Sequence, residues 1–526
     1  MRARRWWMLG VTCLSVVVVG LDLTILNIAL PAISAALHAG TGDLQWIVDA
    51  YSLVYAGVML PAGMIGDRLG RKRLLLAGLA VFLGASLWCA LSVSAGELIA
   101  ARALMGLGAG IVFPLSLAVV STAFGDDDRP QAIGILTAAV ALGLPLGPVL
   151  GGILLQHFSW HSVFWINVPA ACLTLAAGVV LLPESRNPGS PPLDTPGALL
   201  STASVVCLVW GFIDSAEHGW TAAPTWGLLA GSVLLFAAFV LRERSTANLL
   251  IDPALFRDRR FSWGTAATVT VQIVLFAIMF VVPQYLQSVV GDDPISAGLR
   301  LLPTMAGLLV AGAVAGLLVR IAGTKLTVAA GLTLMAGGLA MLSQVHLATG
   351  YAFVAAGLGL CGLGVGACVA AAMNSVMAAV GGDEAGMGAS VNSALRQIGG
   401  AIAVAVLGSV LSATYARDLR PAIAGLPAGN AATARASITQ AVQLAGRLPS
   451  GGHALRAAAG TAFLHGMSSV MLICAGVAAV TVLASRYLPG RAGATPSPQP
   501  SAPSPQPSAA SPQPSAAAPP PTNARR

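Results

Sequence analysis

The sequence predicts an all-α integral membrane protein with fourteen transmembrane helices. Three observations lead there: the composition, the length of the apolar runs, and one charged segment wedged between two of them. Of 526 residues, 56% are hydrophobic and 9% charged, and the mean hydropathy is +0.80, far from the balance of soluble domains. Runs long enough to cross hydrocarbon at about 20 residues each fall at 8–33, 46–66, 74–94, 98–122, 131–156, 161–183, 196–214, 224–241, 262–287, 299–319, 326–345, 352–378, 388–413 and 461–485.

The charged segment is Gly63-Met-Ile-Gly-Asp-Arg-Leu-Gly-Arg-Lys-Arg73, with four cations around Asp67. Between two apolar runs it reads as a short cytoplasmic hinge. A worn copy recurs later. Aligning Gly63 with Gly316 matches Gly70 to Gly323, Lys72 to Lys325 and Gly78 to Gly331, with Arg320 at the place of Asp67. A repeated helix–hinge–helix implies two related halves, a recurrent plan of secondary transporters.

Orientation follows from the cations. With the amino terminus in the cytoplasm, the cytoplasmic segments hold Arg2, Arg4, Arg5, Arg68 to Arg73, Arg129, Arg186, a cluster from Arg242 to Arg260, Arg320 and Lys325. The outer connections 34–45, 95–97, 157–160, 215–223, 288–298 and 346–351 carry no Lys or Arg, the positive-inside bias of short loops. Loop 414–460, with Arg417, Arg420, Arg435, Arg447 and Arg456, runs against it, but long loops translocate largely regardless of charge. An even number of spans puts both termini in the cytoplasm. The amino end resembles a signal peptide, yet Asp22 interrupts the run and the apolar stretch continues to Ile33, so it reads as a retained first helix.

The net charge of +8 therefore reports topology, and no basic soluble domain is present to bind nucleic acid. All seven cysteines fall within apolar spans, against a disulfide framework. The seven histidines are scattered, and no metal-ligand spacing, nucleotide-binding glycine loop or Ser/His/Asp set stands out. No cofactor or metal is expected, and an enzyme is disfavoured. Loop 414–460 is rich in Ala, Gly and Arg, with one surface helix expected from Ala431 to Gly446. After Leu488 the chain repeats Ser-Pro-Gln-Pro-Ser-Ala at 497, 504 and 511, a disordered, solvated cytoplasmic tail.

Charges inside the apolar runs carry the chemistry. Asp22 lies near the middle of the first span, where a carboxylate costs about 2.5–3.5 kcal/mol on insertion scales. It is expected to face a central cavity and to exchange a proton for a cationic substrate; the alternative is a fixed helix–helix pair. Asp49 sits about one turn inside the outer end of the second span, placed to hold a cation in the outer vestibule. Arg102 opens Arg102-Ala-Leu-Met-Gly-Leu-Gly-Ala-Gly110 and either tunes a proton-carrying aspartate or snorkels to the headgroups. Arg396, in the thirteenth span, is a further candidate of the same kind. The fifth span contains Gly143-Leu-Pro-Leu-Gly-Pro-Val-Leu-Gly-Gly152: Gly143, Gly147, Gly151 and Gly152 allow close helix approach, and Pro145 and Pro148 are expected to bend it. Trp210, Phe276, Met279 and Met373 could line an adaptable pocket, or serve in packing and lipid contacts.

These motifs resemble the major facilitator superfamily, and within it the fourteen-helix drug:proton antiporter branch. Gly63, Asp67, Arg68, Gly70, Arg71 and Arg73 look like its loop 2–3 signature, Arg102 to Gly110 its proton-linked fourth-helix motif, and Gly143 to Gly152 its antiporter motif. Leu21 to Pro31 and Leu44 to Ser52 resemble signatures of the fourteen-helix branch. The resemblance covers residues 8–486.

It implies the major facilitator fold, with six-helix bundles at 1–186 and 261–487 and two inserted helices and a cytoplasmic loop at 187–260, before the tail at 488–526. It also implies bundles rocking around a central site, driven by the proton gradient. Asp67 would latch the outward-open state, against the amino end of the eleventh helix near Thr327. No acid is expected within helices 9 to 14; Asp292, Asp293, Asp383, Glu384 and Asp418 are placed in loops, which leaves Asp22 and Asp49 to recognise cations and puts divalent cations in doubt.

The expected function is proton-coupled export of lipophilic, cationic drugs or an antibiotic across the cytoplasmic membrane, by a monomer in the lipid bilayer whose partners are its small-molecule substrate and protons. A proton-coupled sugar or metabolite transporter of the same fold is the alternative, and a non-transporting sensor or membrane-embedded enzyme the alternative of another class.

Overall fold

A chain this apolar satisfies its backbone within helices, and the computed structural model, which describes residues 2–124, 128–186, 194–245, 253–380, 385–448 and 451–485, is helical throughout. In the first part run α1 (Arg2–Leu37), α2 (Thr41–Leu69), α3 (Arg71–Leu91), α4 (Ala95–Ala123), α5 (Arg129–His157), the single turn α6 (Ser162–Trp165) and α7 (Asn167–Leu181). Two further helices follow, α8 (Thr195–His218) and α9 (Ala223–Ser245). The second part holds α10 (Arg259–Gln284), extended by a π-helical stretch Tyr285–Val290, then α11 (Pro294–Arg300), α12 (Leu302–Ala322), α13 (Thr324–Leu342) and α14 (Tyr351–Ala379). It closes with α15 (Ala385–Ile423), α16 (Ala428–Ala436), α17 (Ile438–Arg447) and α18 (Gly452–Ser485).

Among the described residues, twelve helices are long and apolar enough to cross a membrane. The other two expected spans exist as helices of 29 residues each, α2 and α5, but fall outside that set. In α2 the side chain of Leu60 lies outside the described residues, which cuts its apolar run after Met59. In α5 many side chains lie outside the described residues, and only its apolar end, Leu146–His157, registers.

The packing repeats itself. In the first part α2 and α3 pack on α4, α1 packs on α5, and α7 packs on α1 and α3; in the second, α12 and α13 pack on α14, α10 on α15, and α18 on α10 and α13. The hinges repeat too. A single glycine joins α2 to α3 (Gly70, φ +117°) and α12 to α13 (Gly323, φ +82°). Both occupy the half of the Ramachandran map that costs other residues most. Each donates its N–H back to the preceding helix, to Gly66 and Val319.

One turn or two beyond each hinge, a second matched glycine sits at a helix crossing. A Cβ on Gly78 would lie 2.5 Å from Ile111 Cγ2 of α4, and one on Gly331 would lie 2.8 Å from the Gly364 carbonyl of α14. Backbones that meet this closely are held by dispersion and shape, the main attraction between helices in lipid.

The inserted pair stands at the seam between the two parts. α8 packs on α9, α2 and α15; Ser204 Oγ donates to the Ser232 carbonyl at 3.1 Å and Ser409 Oγ of α15 to the Phe212 carbonyl at 2.6 Å. At the base of the pair Arg242 binds Asp194 at 2.7 Å, and this hydrogen-bonded guanidinium holds the Asp194 carboxyl below the usual carboxylate range.

Two expectations about the last third need correction. The segment expected as loop 414–460 is mostly helical: α15 runs on to Ile423, α18 begins at Gly452, and the single surface helix is two, divided at Ser437, whose hydroxyl caps α17 by accepting from Gln440 N at 3.2 Å. Asp418 accordingly lies on the last turns of α15, bonded to Arg417 at 2.8 Å and to His465 of α18 at 2.8 Å, and the bond to α18 holds those turns in place.

The two parts are tied together at the end opposite the glycine hinges. Gln440 Nε2 donates to the Ala39 carbonyl at 2.9 Å, Thr41 Oγ1 to the Ala436 carbonyl at 3.1 Å, and Gln45 Nε2 to the Val404 and Ala405 carbonyls at 3.1 and 2.9 Å. Gln287 Nε2 adds a bond to the Ile28 carbonyl at 2.9 Å.

The crossings give a direct test. Gly78→Val and Gly331→Val each force packed backbones apart, at a cost of about 1–3 kcal/mol for overpacking. Thermal melting of the detergent-solubilised protein should show both variants losing stability, while Gly84→Val, at a position with nothing within 4 Å of a Cβ, melts like the parent.

Candidate functional site

Four helices meet around one ion pair. Asp22 of α1 is 0% exposed and Arg102 of α4 2% exposed. Arg102 Nη1 donates to Asp22 Oδ2 at 2.6 Å, and Asn167 Nδ2, at the start of α7, donates to Asp22 Oδ1 at 3.2 Å. The rest of the guanidinium is occupied as well. Its Nε donates to the Ile47 carbonyl of α2 at 3.1 Å, and its carbon lies 4.2 Å from the centre of the Tyr51 ring, a cation–π arrangement. A pair taken out of water repays its desolvation only when the remaining donors and acceptors are also satisfied, and here they are. Arg102 does not reach for headgroups; it is buried against the acid.

Asp49 is also 0% exposed, and neither of its carboxylate oxygens has a hydrogen-bond partner among the described residues. The sequence placed it one turn inside the end of its helix. α2 begins earlier, at Thr41, which sets Asp49 about two turns in and away from the interface. Gln45, one turn before it, bonds α15. Leu53, one turn after it, packs with Ala401 and Ala405 of the same helix. Asp49 therefore lies on the stripe of α2 that faces α15.

Further along that seam Arg396 of α15 donates through Nη2 to Gln272 Oε1 of α10 at 2.9 Å, while its Nε and the Gln397 Oε1 are buried without partners. Tyr55 of α2 shares a side-chain hydrogen bond with Gln397 and stacks on Tyr51 with ring centres 5.9 Å apart.

α5 runs unbroken from Arg129 to His157, through Pro145 and Pro148; the expected bend is not a break. Its glycines face α1. A Cβ on Gly143 would lie 2.9 Å from the Leu21 amide and one on Gly147 2.8 Å from the Ile25 amide, on either side of Asp22, and Gly151 meets Ile25 at 3.0 Å. Gly152 turns to the other half, where its Cβ would be 2.6 Å from the Pro294 carbonyl, and the Pro148 carbonyl meets Gly298 of α11.

At the hinge, the Asp67 side chain lies outside the described residues, so its pairing near Thr327 does too. Gly63 has open space at its Cβ position, and Arg68 is exposed. The Arg73 side chain and the Lys72 backbone hold Glu184, just past α7. Its carboxylate accepts from the Lys72 amide at 3.2 Å and lies 3.5 Å from Arg73 Nε, and the Arg71 amide donates to the Ser185 carbonyl at 3.0 Å. An anion at the amino end of α3 meets unpaired amides and the positive end of the helix dipole. A Cβ on Gly70 would sit 2.6 Å from that carboxylate, so the glycine also leaves room for it.

Of the suggested pocket residues, Met279 is buried in packing, Met373 accepts from Asn392 Nδ2 at 3.5 Å, and Trp210 stands edge-on to Trp46 on the inserted helix α8. Sequence reasoning missed Asn167, Tyr51 and Glu184. A polar residue opening an apolar run, as Asn167 does, was the available signal.

The two acids should respond oppositely to amidation. Asp22→Asn leaves Arg102 buried without a counter-ion, which costs about 3–5 kcal/mol. Asp49→Asn removes an unpartnered carboxylate and should leave the melting temperature unchanged or higher. Thermal unfolding of the two variants in detergent separates them, and equal losses would contradict the geometry.

Comparison with known proteins agrees with this architecture. The family model described as Major Facilitator Superfamily matches residues 12–404. The tetracenomycin C resistance and export protein of Streptomyces glaucescens is 33% identical, over 93% of this chain and 92% of its own. The methyl viologen resistance protein SmvA of Salmonella typhimurium is 34% identical over 90% and 96%, and the multidrug efflux pump LfrA of Mycolicibacterium smegmatis 33% over 93% and 96%. Among solved structures, a bacterial homologue of the human lysosomal transporter Spinster, inward-facing and unoccupied, superposes with a TM-score of 0.64 at 17% identity, covering 93% of this chain and 98% of its own; it speaks for the fold alone. Apolar helices, a duplicated hinge and relatives of this kind make the chain a multi-pass membrane transporter, not an enzyme, and it belongs to the Major Facilitator Superfamily, in its drug-exporter branch.

Proposed function

We propose that the protein is a proton-coupled antiporter that exports lipophilic, cationic drugs or an antibiotic across the cytoplasmic membrane by alternating access. Asp49 carries the reading. Its two buried oxygens lack partners among the described residues, and it faces α15. An ionised carboxylate in such a place needs a positive companion. A proton and a cationic substrate are the two that export offers, and their competition for one carboxylate is what antiport requires.

Asp22 and Arg102 complete the coupling set. Arg102 bonds the carbonyl of Ile47, two residues from Asp49, so any change in the Asp22–Arg102 pair moves the backbone that carries the second acid. The glycine face of α5 rides on α1 beside this pair and serves as the pivot. Asp67 latches the hinge in the outward-open state. On the positive-inside rule the face carrying Arg68, Arg71, Lys72, Arg73, Arg320 and Lys325 is cytoplasmic, both termini lie there, and the bonds from α16 and α17 to Ala39 and Thr41 close the outer side. The working unit is a monomer in the bilayer, and its partners are the drug and protons. The naming of relatives for tetracenomycin C export, methyl viologen resistance and multidrug efflux supports this class of cargo.

The test is ethidium efflux from proteoliposomes under an imposed pH gradient. The parent should expel dye only while the gradient stands, and Asp49→Asn should lose the gradient-dependent part while still melting like the parent. Efflux indifferent to the gradient would end the proton-coupled reading, and efflux surviving in Asp49→Asn would move coupling to Asp22 and Arg102.

A further inference from the structure

Arg396 differs from Arg102 in what surrounds it. The Arg102 fork is spent on a carboxylate, a carbonyl and a ring. Arg396 has no carboxylate within ion-pairing distance among the described residues; its hydrogen bond is the one to Gln272, and its Nε is buried without an acceptor. Gln397 beside it also keeps a buried, unpaired oxygen. Arg396 as a whole is half-buried, but a guanidinium nitrogen shut off from water without an acceptor is costly unless something else supplies one.

Its position says what that could be. α2 and α15 run antiparallel along the seam: Gln45 meets Val404 and Ala405, and Tyr55 meets Gln397. Asp49 lies between those two contacts on α2. The seam thus carries one acid and one base on facing helices, and among the described residues neither is paired with an opposite charge. Their fixed strand of contacts is the place where the halves of an alternating-access transporter meet around cargo. A planar guanidinium with a free Nε edge matches a carboxylate or phenolate oxygen, with which its hydrogen bonds are shortest and strongest.

We propose that Arg396 is a substrate-binding residue that takes the carboxylate or phenolate oxygen of a lipophilic substrate, so that the transported class extends to anionic and zwitterionic amphiphiles. The assignment rests on the export reading above and deepens it.

Fluorescein and rhodamine 6G share a xanthene ring and differ in charge. Binding of each to the purified protein in lipid nanodiscs, followed by fluorescence anisotropy at pH 8, tests the assignment. The parent should bind both dyes. Arg396→Gln should raise the fluorescein Kd by about tenfold more than the rhodamine 6G Kd, the loss expected for one hydrogen bond to a charged group, and Arg396→Lys should recover part of it. Gln272→Leu, which leaves the charge but removes its positioning bond, should shift the same ratio in the same direction and decides the matter if Arg396→Gln fails to fold. No fluorescein binding by the parent, or equal weakening of both dyes in the variants, overturns the proposal. Gradient-driven efflux of rhodamine 6G by the parent reports separately on export: its absence beside selective fluorescein binding would remove the export reading and leave Arg396 as the anion site.

Discussion

The buried pair between Asp22 and Arg102 is the constraint around which the first half is built. Removing two charges from water deep in an apolar bundle is tolerable only if every lone pair and proton finds a partner. That demand reaches across four helices, because Asn167 must stand at the start of α7 and the Ile47 carbonyl and Tyr51 ring must face α4. The glycines of α5 follow from the same demand: α1 can present Asp22 to α4 and α7 while α5 presses on its back only if α5 has no side chains there.

The second part repeats the packing and hinges of the first but not its charges. Hinges Gly70 and Gly323 and crossings Gly78 and Gly331 are equivalent because backbone geometry, unlike chemistry, has to be kept for the helices to pack at all. The charges were free to diverge. Where the first half neutralises its central arginine with an aspartate, the second leaves Arg396 to an uncharged glutamine. The two halves therefore bring different chemistry to the seam.

Hydrogen bonds between the two parts run from glutamine and threonine side chains to backbone carbonyls. Such bonds are individually worth about 0.5–1.5 kcal/mol, enough to hold a conformation and few enough to be exchanged for another set. α8 packs on both α2 and α15, and the tight hydrogen bond from Ser409 ties it to the second.

The sequence by itself determined what is local. Apolar length placed the helices, since the bilayer sets that length; the match of Gly70 to Gly323 marked both hinges, though only the structure shortened each connection to that one glycine; and a charge inside an apolar run marked Asp22, Asp49, Arg102 and Arg396 as residues needing a reason. Tertiary structure decided which of them is satisfied. Asp22 and Arg102 are 80 residues apart, and nothing in one dimension says that their helices cross at that height. Asp49, nearer its helix end in sequence, lies two turns inside α2, which starts at Thr41, and among the described residues its carboxylate has no partner. The extent of α15, the split of α16 from α17 and the seat of Glu184 on α3 were likewise invisible beforehand, because each depends on a hydrogen-bonding partner supplied by packing rather than on the period of the chain that carries it.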